Sequence, residues 1–296
     1  MINQALQHCS GIGPVRLAKL HSAGVQTWQD ALQYPQRIPA SCRQAMIEES
    51  RRCLTALENK DIQYFINRFT PQDKWRILAN YLEGATYFDI ETLGLSSADP
   101  ITVIAAWHQG QFHIFVEHEN LDDFLECLDQ VKLLVSFNGS TFDVPRVLDT
   151  FHIPDLPCPH LDLRWTTYHR GLAGGLKEIA SRLGIDRPAD LRDVSGEQAV
   201  LLWQAWKAEQ DQAAREHLIR YCAADVLLLH MVAQRLVGQV DLDENGLWAA
   251  LPPVSSLPAL LRNMQPPLVA NLPTTNRNNA TRKRMLLSKR WGNKTA

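Results

Sequence analysis

The chain has 296 residues, 45% of them hydrophobic, and carries 30 Lys and Arg against 32 Asp and Glu for a formal net charge of −2. That length fills one large domain or two smaller ones with a proper core, and neither a run of about 18 apolar residues nor a basic-then-apolar leader is present, so a membrane span and a secretory signal are excluded and a cytoplasmic location is expected. Cys9, Cys42, Cys53, Cys127, Cys158 and Cys222 form no CxxC pair, which argues against a zinc site or a disulfide framework and for reduced thiols.

The near-neutral total conceals an asymmetry. Lys and Arg number 10 against 7 Asp and Glu in residues 1–83, 12 against 25 in 84–261, and 8 against none in 262–296. An acidic body repels nucleic acid, so the basic ends are the expected contacts to a polyanion; the alternative for the last stretch is a solubilising tail.

In chain order, residues 1–83 read as a helical region. The run HCSGIGPVRLAKLHSAGVQTWQDAL at 8–32 looks like a helix-hairpin-helix element, whose glycine turn at Gly11 and Gly13 opens the second helix and offers backbone amides to a phosphate. A glycine turn made only for packing is the alternative. Residues 41–61 read as an amphipathic helix with Arg51 and Arg52 on its polar side, and 61–83 join this region to the next.

Residues 84–240 form the second expected domain. Strand patterns at 85–91, 101–107 and 111–116, the last two separated by His108-Gln109-Gly110, predict an antiparallel meander. LDDFLECLDQV follows as a helix. KLLVSF at 132–137 returns as a buried strand whose end delivers Asn138 and the loop carrying Asp143. Asp143 could also cap a helix beginning near Val144-Pro145. A Pro-rich stretch leads to Asp162, read as structural, and helices are expected around 176–183, 197–208 and 213–236. Residues 241–296 are a Pro/Asn-rich basic tail, expected to be partly disordered, in which Arg282, Lys283 and Arg284 suit phosphate contact and Trp291 suits base stacking.

Three short contexts carry the chemistry. In FDIE at 88–91, Asp89 and Glu91 flank one apolar residue and so leave the same face of a strand. Crowded carboxylates raise one another's pKa unless a cation sits between them, and oxygen-rich sites suit Mg2+ or Mn2+. NGSTFD at 138–143 ends in Asp143, with Asn138 and Phe142 shaping the loop or packing on a terminal nucleotide. In YCAAD at 221–225, Tyr221 and Asp225 stand four residues apart in a strongly helical stretch and share a face.

Taken in order, these contexts resemble the three motifs of the DEDD exonuclease superfamily with the RNase H-like fold. The spacing of Tyr221 to Asp225 resembles its tyrosine subgroup, since the position five before Asp225 is Arg220 rather than His. The run HLDLRWTTYHRGLAGGLKEIASRLGI followed by RYCAADVLLL is similar to the YprB-type RNase H-like domain, over about residues 84–237. The resemblance implies an α/β fold, a mixed sheet of antiparallel meander plus parallel strands flanked by helices. It implies two divalent ions about 3.5–4 Å apart acting in in-line displacement, with Asp89 bridging both, Glu91 and Asp225 serving one, Asp143 completing the other and Tyr221 orienting the attacking water. With an ordinary pKa of about 10, the tyrosine is a poor base at neutral pH and mainly positions. The expected activity is 3′ to 5′ exonuclease cleavage of single-stranded or frayed nucleic acid, DNA more than RNA. A structure-specific endonuclease and a DNA-structure binding protein with little turnover are the alternatives.

Overall fold

The computed structural model describes residues 1–261 apart from Ser97, Asp193 and Ala259. The basic clusters at Arg282, Lys283, Arg284 and Trp291 lie outside the described residues. Helices α1 (Pro14–Ser22), α2 (Trp28–Gln33), α3 (Ala40–Glu58), α4 (Ile62–Arg68) and α5 (Trp75–Tyr81) build the first region. Their starts follow from sequence: Pro14 opens α1, Thr27 and Asp30 form a reciprocal capping box on α2, and Asp61 accepts the Tyr64 amide of α4.

The glycine turn departs from the expected helix pair. It follows a single 3-10 turn, Ile2–Gln4, because Ala5 and Leu6 turn fully into the core instead of continuing a helix. Buried Trp28 anchors this region: its ring stacks on Phe65 at 5.9 Å and its indole N–H donates to the Ala5 carbonyl at 2.6 Å, satisfying the polar atom that burial would otherwise penalise. The same apolar cluster continues through Phe69 and Ile77 into Tyr87 of the sheet, so packing does not break near residue 83.

The sheet contains β1 (Ala85–Thr92), β2 (Ile101–His108), β3 (Gln111–Val116), β4 (Leu133–Ser136) and β5 (His160–Asp162), in the order β3-β2-β1-β4-β5. The first three strands form the expected antiparallel meander, while β1 and β5 both run parallel to β4. Gln109 and Gly110 both have positive φ, as the tight turn between β2 and β3 requires. Helices α6 (Asp123–Leu128), α7 (Asp143–Phe151), α8 (Leu163–His169), α9 (Leu176–Arg182), α10 (Gly196–Glu209), α11 (Gln212–Leu236) and α12 (Glu244–Ala249) complete the fold.

The two-residue period of the strands divides the core. Tyr87, Val103, Ala105, Trp107, Leu133 and Val135 pack in one cluster with the buried face of α11. Phe88, Ile104, Phe115 and Leu134 pack in another with Phe124 and Leu128 of α6 and Val147 of α7. Helices on both faces explain why β4 is apolar at nearly every position and buried throughout. Because Asp89 and Glu91 share parity with Tyr87, they leave β1 on the α11 side.

The segment expected to begin a disordered tail is built onto the domain as far as residue 261. Arg220 of α11 donates to the Pro252 carbonyl at 3.0 Å, Glu216 accepts the Ser255 amide and hydroxyl at 2.6 and 2.7 Å, and Leu251 and Leu261 are buried. Proline-rich composition removed the helical pattern there without removing the apolar anchors. All six cysteines are free, and no helix among the described residues is long and apolar enough to cross a membrane.

Candidate active site

The structure brings the acidic residues of all three motifs to one cleft. Asp89 and Glu91, both half-buried, come from β1, Asp143 from the first turn of α7, and Asp225 from the middle of α11. A concavity of about 420 Å³ opens over Asp89 and Asp225, walled by Phe137, Leu176 and Lys177. Asp143 and Asp225 are buried, as is Tyr221 one helical turn before Asp225. Asp143 is the first helical residue, and Phe142 holds the cap position without a side-chain bond. The cap position expected of Asp143 is thus held by Phe142, and the nearby backbone amides of Asp143 itself and of Ile90 favour the charged form of the Asp143 carboxyl.

Burial and mutual repulsion dominate the electrostatics. Desolvation first, then the charges of Asp143, Glu91 and Asp225, push Asp89 well above the ordinary carboxylate range. Glu91 is raised by burial and by Asp225, with Lys177 opposing. Burial lifts Asp143 to about 7 against the opposing backbone hydrogen bonds. A set of hard oxygen donors that destabilise one another's charged forms fits Mg2+ or Mn2+. Asp225 Oδ1 accepts no aligned hydrogen bond, and the Arg187 guanidinium stands 3.0 Å from it. Burial and the neighbouring carboxylates raise the Tyr221 hydroxyl too, so it stays protonated.

The loop between β4 and α7 is held by Asp162. Its carboxylate accepts the amides of Asn138 at 2.8 Å, Ser140 at 3.1 Å and Arg164 at 3.0 Å, clasping the turn to the end of β5 and capping α8. This is the structural role read from sequence. Asn138 adopts positive φ, and its side-chain oxygen accepts from Thr141 and Arg164. Next to it, a Cβ on Gly139 would fall 2.0 Å from Ser136 Oγ, so only glycine lets the turn close this tightly. Phe142 packs under the Arg146 guanidinium, 4.8 Å from its ring centroid, and Arg146 reaches the Asp99 carbonyl at 2.9 Å. Asn138 and Phe142 thus both shape the loop, and Asn138 also lines a neighbouring concavity. Gly11 and Gly13 line a separate depression of about 240 Å³ at the start of α1, where Arg16 donates to the Gly11 carbonyl at 2.6 Å.

Three residues that sequence reading passed over stand in the site. Lys177, in the first turn of α9, donates to the Tyr221 hydroxyl at 2.8 Å and lies 3.6 Å from Asp225 Oδ2. Arg187, after α9, places Nη2 3.0 Å from Asp225 Oδ1 but without the alignment of a hydrogen bond, and its guanidinium lies 4.9 Å from the Tyr221 ring centroid. Lys177 Nζ lies 4.7 Å from the same centroid, so two cations hold the ring. The Cys222 thiol donates to the Asp89 carbonyl at 3.5 Å beneath the acids. Each lies near a motif residue in space; only Cys222, inside YCAAD, is adjacent in sequence to one.

A search of curated proteins returns no match. Among solved structures, a family B DNA polymerase from the hyperthermophilic archaeon Pyrobaculum calidifontis is 18% identical over 52% of this chain and 24% of its own, with a TM-score of 0.43. This chain thus spans about a quarter of that polymerase's length. A nuclease in its apo form is 21% identical over 59% of this chain and 84% of its own, with a TM-score of 0.29. The family model of the RNase_H superfamily matches residues 86–237. That match covers just over half of the sequence, the whole five-stranded sheet and the α11 residues that complete the cleft, and the chain belongs to the RNase_H superfamily.

Proposed function

We propose that the protein is a metal-dependent 3′ to 5′ exonuclease that hydrolyses single-stranded or frayed nucleic acid. The observation that carries this reading is the convergence of Asp89, Glu91, Asp143 and Asp225, each buried or half-buried and the first three raised in pKa, at a concavity that Asp89 and Asp225 line. In this reading Asp89, Glu91, Asp143 and Asp225 would hold two divalent ions, Mg2+ or Mn2+. Bound there, such ions supply Lewis-acid polarisation of the phosphate and acidify the attacking water. Tyr221, fixed by Lys177 at its oxygen, keeps its own proton free to orient that water. Water adds to phosphorus, the bond from phosphorus to the 3′ oxygen breaks, and a nucleoside 5′-monophosphate leaves. The Asp162 clasp keeps Asp143 at a set distance from β1. Gly11 and Gly13 at the start of α1, and Arg282, Lys283 and Arg284 of the basic tail, would contact the backbone outside the cleft.

End-labelled DNA and RNA oligomers with Mg2+ or Mn2+ test the proposal. A ladder of mononucleotide products is expected. Discrete internal cuts point to an endonuclease, and binding without cleavage to a recognition protein; either result overturns the exonuclease reading.

A further inference from the structure

A second concavity, of about 580 Å³, lies beside the carboxylate cleft and shares Phe137, Gly175 and Leu176 with it. Its far wall is α8, where Trp165 and Tyr168 stand three residues apart, 48% and 57% exposed. Among the described residues these are the exposed large apolar side chains that carry aromatic rings; Trp28, Tyr87, Phe65, Phe88 and Phe124 are fully buried. The rings meet edge to face, 6.5 Å apart at an interplanar angle of 77°. Arg164 lies 5.8 Å from the Trp165 centroid and also bonds Asn138, and Lys177 stands where the two concavities meet.

The passage between them is floored by a turn with little side chain. Nothing lies within 4 Å of a Cβ on Gly175, and Gly174 has φ +128 with its space filled by the Glu178 carboxylate. Glu178 is thereby drawn to the turn, and Asp162 is spent on three backbone amides. Arg164 lines the aromatic concavity, and Lys177 lines the carboxylate concavity together with Glu178, Asp89 and Asp225.

We propose that this surface is the track for the unpaired strand on the 5′ side of the scissile bond, with bases resting on Trp165 and Tyr168 and phosphates meeting Arg164 and Lys177. The proposal rests on the nuclease reading of the adjoining cleft. The occupant follows from the chemistry: exposed rings in a cationic groove recognise the π-faces of single-stranded bases without regard to sequence, whereas a duplex hides those faces. Continuity with the carboxylate cleft joins the rings to the acids through Phe137, Gly175 and Leu176, and the 3′ to 5′ reading of that cleft puts the remaining strand on the 5′ side.

The test compares the wild-type protein with Trp165→Ala/Tyr168→Ala and Trp165→Phe/Tyr168→Phe. Anisotropy in chelator measures binding of a short labelled single strand and of a blunt duplex, and thymidine 5′-p-nitrophenyl phosphate with Mn2+ reports turnover of a substrate too small to reach α8. The alanine pair should bind the single strand about tenfold or more weakly, the phenylalanine pair should retain binding, and duplex affinity and ester turnover should not change. Equal single-strand affinity in the wild type and the alanine pair overturns the track, as does a loss shared equally by single strand and duplex. Single-strand binding that depends on the rings, with no hydrolysis of ester or oligomer by the wild type, overturns the nuclease reading and leaves the track standing. Trp165→Gln and Tyr168→Gln, tested singly, give the same readout should the alanine pair melt early.

Discussion

Two regions of this protein bury acids, and they treat them in opposite ways. In the N-terminal helices, Glu49 is 4% exposed; burial pushes its pKa up, but hydrogen bonds from Arg68 and Tyr64 and the Arg68 charge outweigh that and hold it below the ordinary value. Both donors reach the same carboxylate oxygen at 2.9 Å, and His8 lies 3.7 Å from it. In the cleft, Asp89 and Glu91 face other acids, and the nearby cations Lys177 and Arg187 are directed at Asp225 and Tyr221. An acid kept for structure is given its donors by the protein. In the proposed reading, acids that would hold a metal are left short of them, and the fold bears a repulsion that an ion would relieve.

The largest expected effect is on chemistry. Asp89→Ala should lower metal-dependent hydrolysis by at least about 10³-fold, while raising the metal-free melting temperature because one repelling charge is gone; equal activity in the purified variant, or a lower melting temperature in chelator, breaks the contrast. Next comes Glu49→Gln, which takes the charge from a carboxylate serving Arg68 and Tyr64 and should cost about 2 kcal/mol in urea unfolding. Hydrolysis by the folded variant should be unaltered. Tyr221→Phe should retain measurable activity, with kcat lowered about tenfold, since it removes an orienting hydroxyl and leaves every carboxylate. Complete inactivity would make the tyrosine more than a positioning group.

The smallest effect is on pH, and its sign separates the two regions. With Asp143 raised to about 7 and Asp89 and Glu91 also raised, the native protein holds more protons than the unfolded chain from the ordinary carboxylate range up to near neutrality. Metal-free stability from these groups therefore falls as pH rises through that window, and added Mn2+ should raise the melting temperature more at pH 8 than at pH 5. Glu49, with a lowered pKa, contributes stability above its unfolded pKa that is lost as pH falls. Asp143→Asn should flatten the neutral side of the profile by about 2–4 °C, and Glu49→Gln the acid side. A metal-free profile that rises from pH 5 to 8 contradicts the assignment.

Much of the site was legible without coordinates. Parity along β1 put Asp89 and Glu91 together, helical spacing put Tyr221 over Asp225, and the end of an apolar strand pointed to the Asp143 loop. Lys177 and Arg187 were not legible because they reach Tyr221 from segments 44 and 34 residues earlier in the chain, and no local pattern marks a cation as facing a distant ring. The same holds for the helix start at Asp143, where Phe142 takes the cap position, and for residues 251–261, whose composition reads as loop while Leu251 and Leu261 are buried.

Short-range periodicity by itself determined the strands of the meander and the pairing of Asp89 with Glu91 and of Tyr221 with Asp225, because strand and helix repeats depend only on neighbouring residues; the mixed sheet and the role of Asp143 came with the family resemblance. Tertiary structure alone decided which buried acids would be hydrogen-bonded and which would face other carboxylates, since that depends on the groups brought in by other segments. Glu49 and Asp225 are each one acid on a helix when read in sequence. Packing gives Glu49 hydrogen bonds from Arg68 and Tyr64, and gives Asp225 a cleft, three other carboxylates and a misaligned Arg187.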